Sequence, residues 1–424
     1  MKKILSILLA LAMLFSFAAC GGTTSDVYSD SESESVADTA DVVSESESET
    51  VADDVSVDPD FKIGFIFLHD ENSTYDKNFM DAAKEVQADL GLTDEQVLFK
   101  IGIPESNECY EAAAELVDEG CDFIFADSFG HESYMIQAAE EFPEVQFAHA
   151  TGTQSLQVNL DNYHNAFAAI YQGRYLAGVA AGMKLNEMIA NGEITADEAK
   201  IGYVGAFNYA EVVSGLTSFY LGARSVCESA TMEVVYTNSW FDIALEKEAA
   251  NTLMDSGCVL ISQHADSEGS PKACEERGVP NVAYNISTIS IAPTTALISS
   301  KIDWAPYFKM AVEATMKGES FDTDWCGTIE TGSVILTELN ADVAAEGTAE
   351  KLAEVEAGLK DGSIKVFDTS KFTVNGETLT EYLADVDGDF TGETNVIADG
   401  YFHESENRSA PYFDIMYIDG ISAK

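Results

Sequence analysis

Residues 63–90 read IGFIFLHDENSTYDKNFMDAAKEVQADL. Ile63–Leu68 is a short continuous apolar run, His69–Asp76 is polar, and Asp76–Leu90 carries apolar residues at helical spacing. A strand buried on both faces, a turn and a covering helix give this pattern. The unit recurs along the chain. Val97–Ile101 precedes a helical stretch at Asn107–Glu119, Phe123–Ala126 precedes Ser133–Glu141, and Gln146–His149 closes a first series. A long helix is expected over Tyr163–Met188. A second series then starts at Ile201–Val204 and continues through Val234–Thr237, Val259–Ser262 and Val282–Tyr284, with helical stretches between them. Short apolar strands alternating with helices predict parallel sheets covered on both faces. Two series predict an α/β protein with two Rossmann-like lobes.

The rest of the composition narrows the class. The 424 residues carry 22 Lys and Arg against 74 Asp and Glu, a formal net charge of −52. Such a chain repels phosphate backbones and anionic lipid headgroups, so no nucleic-acid partner is expected. The first residues, MKKILSILLALAMLFSFAAC, form an export leader: two lysines, an apolar run too short to span a bilayer comfortably, and small residues before Cys20. Residues 1–19 are read as a lipoprotein signal peptide and Cys20 as the lipidated residue, with an ordinary signal peptide cut near Ala19 as the alternative. Residues 20–60 read as an acidic tether. From Thr23 to Asp60 there are thirteen acidic residues, many serines and no Lys or Arg, a composition that cannot bury enough apolar surface to order itself. The six later cysteines form no CxxC pair and no zinc-type cluster, so buried free thiols are expected and no metal or cofactor is predicted.

In open parallel sheets ligands sit beyond the carboxyl ends of the strands. The residues there include His69–Asp76, Asp127–Gly130, His149–Gly152, Ala206–Asn208, Asn238–Asp242, Gln263–Ser267 and Tyr284-Asn285. Aromatics, carboxylates, amides and hydroxyls dominate, a lining suited to a planar, polar, largely uncharged ligand. No GxGxxG follows the first strand, and GxxxxGK[ST], GxSxG and HExxH are all missing from the sequence. Enzyme readings therefore lose their best support.

The stretches Phe147–Gly152 (FAHATG), Ile170–Gly178 (IYQGRYLAG), Lys200–Gly205 (KIGYVG), Tyr236–Asp242 (YTNSWFD) and Gln263–Ser267 (QHADS) resemble the basic membrane protein family, from about Phe61 to Asn340. These are the substrate-binding lipoproteins of ABC importers for purine nucleosides or related bases. The resemblance implies a type I periplasmic-binding fold, two lobes joined by a hinge, with no chemical turnover. On that plan lobe 1 covers 61–195 with a return segment near 297–320, lobe 2 covers 196–296 with part of 321–340, and 341–424 is an extension packed on the body. The family's Ser-Phe-Asn triplet matches Thr74-Tyr75-Asp76, so Tyr75 keeps the stacking face while Asp76 replaces an amide with an acceptor-only carboxylate. Phe207 is the matching aromatic of the other lobe. The family's base-reading Asp falls near Thr151, with His149 beside it, and its ribose-binding Asp falls at Asn285. Phe129, Trp240, Asp242, His264 and Asp266 stand at strand ends within reach of the same ligand; Asp76 and Asp242 are also placed to be helix caps. The acidic turn at 385–389 is read as a surface turn rather than a calcium loop, because Gly388 stands fourth and not sixth. The expected function is capture of a purine nucleoside or nucleobase for an ABC permease and its ATPase. The protein is expected to be a monomer, held by its lipid anchor on the outer face of the bacterial cell membrane. The alternative is a sensor lipoprotein presenting its closed form to a signalling receptor.

Overall fold

The computed structural model describes residues 58–424; the leader, Cys20 and all but the last three residues of the tether lie outside the described residues. The first lobe starts with β1 (Ile63–Phe67), α1 (Thr74–Asp89), β2 (Val97–Ile101), α2 (Asn107–Asp118), β3 (Phe123–Ala126), α3 (Glu132–Glu141), β4 (Gln146–Ala150) and β5 (Tyr163–Ala168). The second follows with α4 (Ile170–Ala190), β6 (Lys200–Gly205), α5 (Ala210–Val226), β7 (Thr231–Tyr236), α6 (Ile243–Asp255), β8 (Leu260–His264), α7 (Gly269–Arg277), β9 (Asn281–Tyr284) and β10 (Ala296–Ile302). The chain continues through α8 (Ala305–Lys317), β11 (Asp324–Gly327), β12 (Val334–Leu336) and α9 (Thr348–Lys360).

One sheet has the order β11-β5-β4-β3-β1-β2 and is parallel throughout. The other runs β12-β10-β9-β8-β6-β7 and ends on the last strand of the chain, Ile421–Ala423. Its central strands are parallel, and β12 is antiparallel to β10. The backbone passes between the sheets after β5, after β10 and after β11. These crossings form the hinge.

Three expectations need correction. Tyr163–Ala168 is a strand and not the start of the long helix: its alternate side chains fit the pleat between β4 and β11, and helix begins at Ile170. The switch between lobes therefore comes near residue 169 rather than 195, because α4 lies against α5. Glycine makes that approach possible: a Cβ at Gly178 would meet the Phe219 carbonyl oxygen at 2.0 Å, and one at Gly222 the Tyr175 oxygen at 2.0 Å. The return segment is also divided. β10 belongs to the second sheet, whereas α8 packs on α1 and β11 extends the first. What fixes α8 there is an aromatic core in which Phe79 stacks on Trp304 at 4.4 Å and Phe125 meets Phe308 edge-on at 4.8 Å. All four are almost fully buried, worth roughly 1.5–3 kcal/mol each in transfer free energy.

The extension packs on the body. α9 lies on α4, and Phe367 stacks on Phe413 at 4.4 Å within the main apolar core. Its strand-like pieces near 365–367 and 371–374 carry only isolated bridges. It is attached to both lobes. Ser409 donates through its backbone N and its Oγ to Asp324 of β11, at 2.7 and 2.6 Å, and Ile421–Ala423 pairs with β7. The six cysteines among the described residues are unpaired, and all but Cys326 are buried.

Candidate ligand-binding cleft

The carboxyl ends of both sheets face one another across the hinge, and a narrow slot lies between them. From the first lobe it is lined by Leu68, His69, Tyr75, Asp76, Ser128, Phe129 and Thr151. From the second come Glu211, Trp240, His264, Asp266 and Tyr284. The lobe tips already touch: the Thr74 amide donates to the Asp266 carbonyl at 2.7 Å, and the His69 and Phe241 rings lie 5.4 Å apart. This is a closed arrangement. The slot retains about 20 Å³, room for roughly one water, so a ring enters only when the lobes part.

Local structure fixes the first wall. Ser73 caps α1, and its hydroxyl donates to Asp76 Oδ2 at 2.5 Å while the His69 amide donates to Asp76 Oδ1 at 2.7 Å. Burial alone would raise the Asp76 pKa, but the hydrogen bonds from His69 and Ser73 outweigh it and hold the carboxyl below its ordinary range. Asp76 is thus a charged group already occupied in shaping the turn. The Tyr75 hydroxyl donates to the Asp127 carbonyl at 2.9 Å, and its ring packs edge-on against Phe79 at 4.8 Å. Thr151 closes this wall in a left-handed backbone conformation, φ 67°. That is costly for a β-branched residue and is found mainly where surroundings impose it. Its Oγ1 is buried without a partner.

The second wall differs in its electrostatics. Asp266 is buried, and desolvation together with the charges of Glu246, Asp76 and Glu211 pushes its pKa well above the ordinary carboxylate range. Burial thus favours its protonated form, at once donor and acceptor, and Asn285 Nδ2 donates to its Oδ1 at 3.3 Å. His264 is pushed down to about 4 by burial and by the Arg174 charge, so its 3.3 Å contact with Glu211 is a hydrogen bond rather than an ion pair. His264 Nδ1 and the Tyr284 hydroxyl are buried and unpartnered. Arg174, fully buried, lies 3.3 Å from the Tyr284 ring centroid and donates through Nη1 to the Gln263 carbonyl at 2.8 Å. Aromatic faces, a neutral carboxyl, a neutral imidazole and unpaired hydroxyls can stack on and hydrogen-bond an uncharged heterocycle.

Of the residues singled out from sequence, Tyr75, Asp76, Phe129, Thr151, Trp240, His264 and Asp266 line the slot. The others stand behind it. Thr74 ties the lobes through its backbone. His149 lies beneath the first wall, fully buried, with Nε2 2.6 Å from the Ser128 carbonyl. Asn285, left-handed at φ 69°, orients Asp266. Asp242 caps α6, accepting from the Ala244 and Leu245 amides at 2.9 Å each. Phe207 is the main correction: it stacks on Tyr209 at 5.1 Å and meets Trp240 edge-on at 5.0 Å, so it supports Trp240 instead of facing the slot. Glu211 and Tyr284 were not singled out. Glu211 sits inside a helix start, a position that reads as ordinary surface, and Tyr284, though at a strand end, carries no sequence signal that assigns it a role.

Comparison with known proteins agrees with this architecture. Residues 69–366 match the family described as ABC transporter substrate-binding protein PnrA-like, and the chain belongs to that family. A purine-binding protein from Brucella abortus (strain 2308) is 32% identical over 328 residues, covering 74% of this chain and 87% of that protein. A protein from Haloferax volcanii, provisionally named an ABC transporter glucose-binding protein, is 34% identical over 252 residues, covering 59% of this chain and 60% of its own. Among solved structures, a solute-binding protein of an ABC transporter system from Conexibacter woesei superposes with a TM-score of 0.59 at 20% identity, over 72% of this chain and 98% of that one, a likeness of fold. The chain is an ABC transporter substrate-binding protein with the type I periplasmic-binding fold, a class that works outside the cytoplasm. No helix among the described residues is long and apolar enough to cross a membrane.

Proposed function

We propose that this protein captures a purine nucleoside or nucleobase between its lobes and delivers it, unaltered, to an ABC permease and its ATPase. It acts as a monomer held at the outer face of the cell membrane by lipid on Cys20. The observation that carries this reading is the slot itself: aromatic faces from both lobes around buried polar groups that are neutral or unpaired. An anion would face the Asp76 and Glu211 carboxyl groups, and a purely apolar ligand would leave His264, Thr151 and Asp266 unsatisfied. The likeness to a purine-binding protein over most of the chain supports the same ligand class. Stacking supplies affinity, and closure removes water from the polar contacts. Thermal-shift measurements on the full chain with purine bases and nucleosides test this. A purine should raise the melting temperature, and failure of every purine to do so would refute the proposal.

A further inference from the structure

The family match ends at residue 366, and the chain beyond it visits both lobes in turn. Lobe 1 comes first. The acidic turn at 385–389 is closed by Asp385, which accepts from the Gly388 amide at 2.7 Å and the Phe390 amide at 3.0 Å. Gly388 lies so close to Thr153 that a Cβ would come within 2.6 Å of its hydroxyl. Further on, Ser409 is buried, and to its two hydrogen bonds with Asp324 it adds a third, accepted from Asn165 Nδ2 of β5 at 2.9 Å. The chain then returns to lobe 2. The Met232 amide of β7 donates to the Gly420 carbonyl at 2.9 Å, Ile421–Ala423 runs parallel to β7 as the outermost strand, and the Lys424 amide donates to the Val234 carbonyl at 3.0 Å. Beyond the three crossings of the hinge, this is a further connection between the lobes.

We propose that residues 409–423 are a strap across the flank of the cleft, which limits how far the lobes part and keeps the ligand-free protein close to its closed form. Its course supports this. Tyr412 and Asp414 line the space between the lobes together with Glu132 and Thr151 of lobe 1 and Glu211 and Trp240 of lobe 2, so the strap runs beside the cleft. Its tension is the second support. Ten residues separate Ser409 from Gly420, and fully extended they would reach about 33 Å. That slack is taken up by packing: Tyr412, Phe413 and Ile418 are almost fully buried, Phe413 stacks on Phe367, and the Tyr412 amide donates to the buried Glu404 at 3.2 Å. Parting the lobes therefore breaks the hydrogen bonds at one end or strips aromatic side chains from the core. A segment satisfied at both ends only when the lobes are near shifts the population toward closure. Part of the cost of ordering the cleft is then met before any ligand arrives. The inference goes beyond the purine reading and does not depend on which ligand the slot takes.

Hydrogen exchange and small-angle scattering on the ligand-free protein test the strap. The Thr74 amide is the reporter: as the first residue of α1 it has no partner within its own helix, and its hydrogen bond crosses to Asp266 of the other lobe. Two variants each release one end. A chain ending at Asp419 lacks Gly420 and the strand paired with β7, and Asp324→Ala removes the acceptor for Ser409. In the full chain the Thr74 amide should be protected. In each variant it should exchange about tenfold faster, the scale of the hydrogen bonds released, with a larger radius of gyration and unchanged protection inside β1 and β6. Thr74 exchange as slow in both variants as in the full chain would overturn the strap. So would faster exchange at Thr74 only in step with β1 and β6, which would make the extension a support of the fold and not a restraint on the lobes.

Discussion

Asp76 and Asp266 face each other across the slot, one from each lobe, and are chemically opposite. Asp76 accepts two short hydrogen bonds from its own turn and stays charged. The Asp266 carboxyl accepts one 3.3 Å contact from Asn285, stands among other carboxyl groups, and is shifted by burial toward its protonated form. The first has spent its capacity on local structure; the second keeps donor and acceptor capacity for something that arrives. The same contrast extends to their neighbours. On the first wall, Tyr75 is anchored at both ring and hydroxyl, whereas on the second the polar atoms of His264 and Tyr284 are left unpaired. On the proposed reading both walls stack the ring, through Tyr75 and Trp240, and the second supplies more of the free polar atoms.

That division can be broken experimentally. The largest effect should come from removing stacking on both sides: Tyr75→Ala combined with Trp240→Ala should weaken purine binding by about 100-fold, given ~1–3 kcal/mol per stacked base and aromatic, measured by calorimetry. Loss of less than about tenfold would move the ring elsewhere. Asp266→Ala should cost about tenfold in affinity, in keeping with one lost polar contact in a dry site, and Asp266→Asn, which remains neutral with donor and acceptor, should recover part of it. An Asn variant as weak as the Ala variant would show that Asp266 acts as a charge.

Glu246 sharpens the electrostatic side. It lies behind Asp266, accepts from the Ser267 amide at 3.1 Å, and is raised to about 7, chiefly by burial. Between its ordinary range near 4.5 and 7 the folded protein holds a proton that the unfolded chain has released, so this group's contribution to stability falls as pH rises through that window. Glu246→Gln removes the titration. Its melting temperature relative to wild type should climb from pH 5 to pH 8, by the equivalent of about 2–3 kcal/mol; parallel curves would contradict the assignment. The smallest effect is expected at Asp76→Asn, which should lower stability by about 1 kcal/mol, the scale of a helix-cap contact, and change affinity less than threefold. A large affinity loss without loss of stability would reverse the roles of the two aspartates.

Much of this was legible in the sequence. Short continuous apolar runs alternating with helical-period stretches after Asp60 predicted both sheets, and polar residues just past each strand located the cleft. The boundary at 169 was hidden because Tyr163–Ala168 is apolar enough to read as part of the helix that follows, and only pairing with β4 and β11 makes it a strand. Phe207 and Trp240 are both aromatics at lobe-2 tips; nothing local says which faces inward, since that depends on how the two pack with Tyr209. Arg174 was quoted only as part of a motif because its role comes from burial against Tyr284, more than one hundred residues away.

The central claim, that the slot between the lobes binds a purine, is tested most directly by titrating the full chain with adenosine, guanosine, inosine and their bases, with glucose as the contrasting ligand. At least one purine should bind one-to-one, and glucose should produce no saturable heat. Saturable glucose binding with no response to any purine would contradict the account.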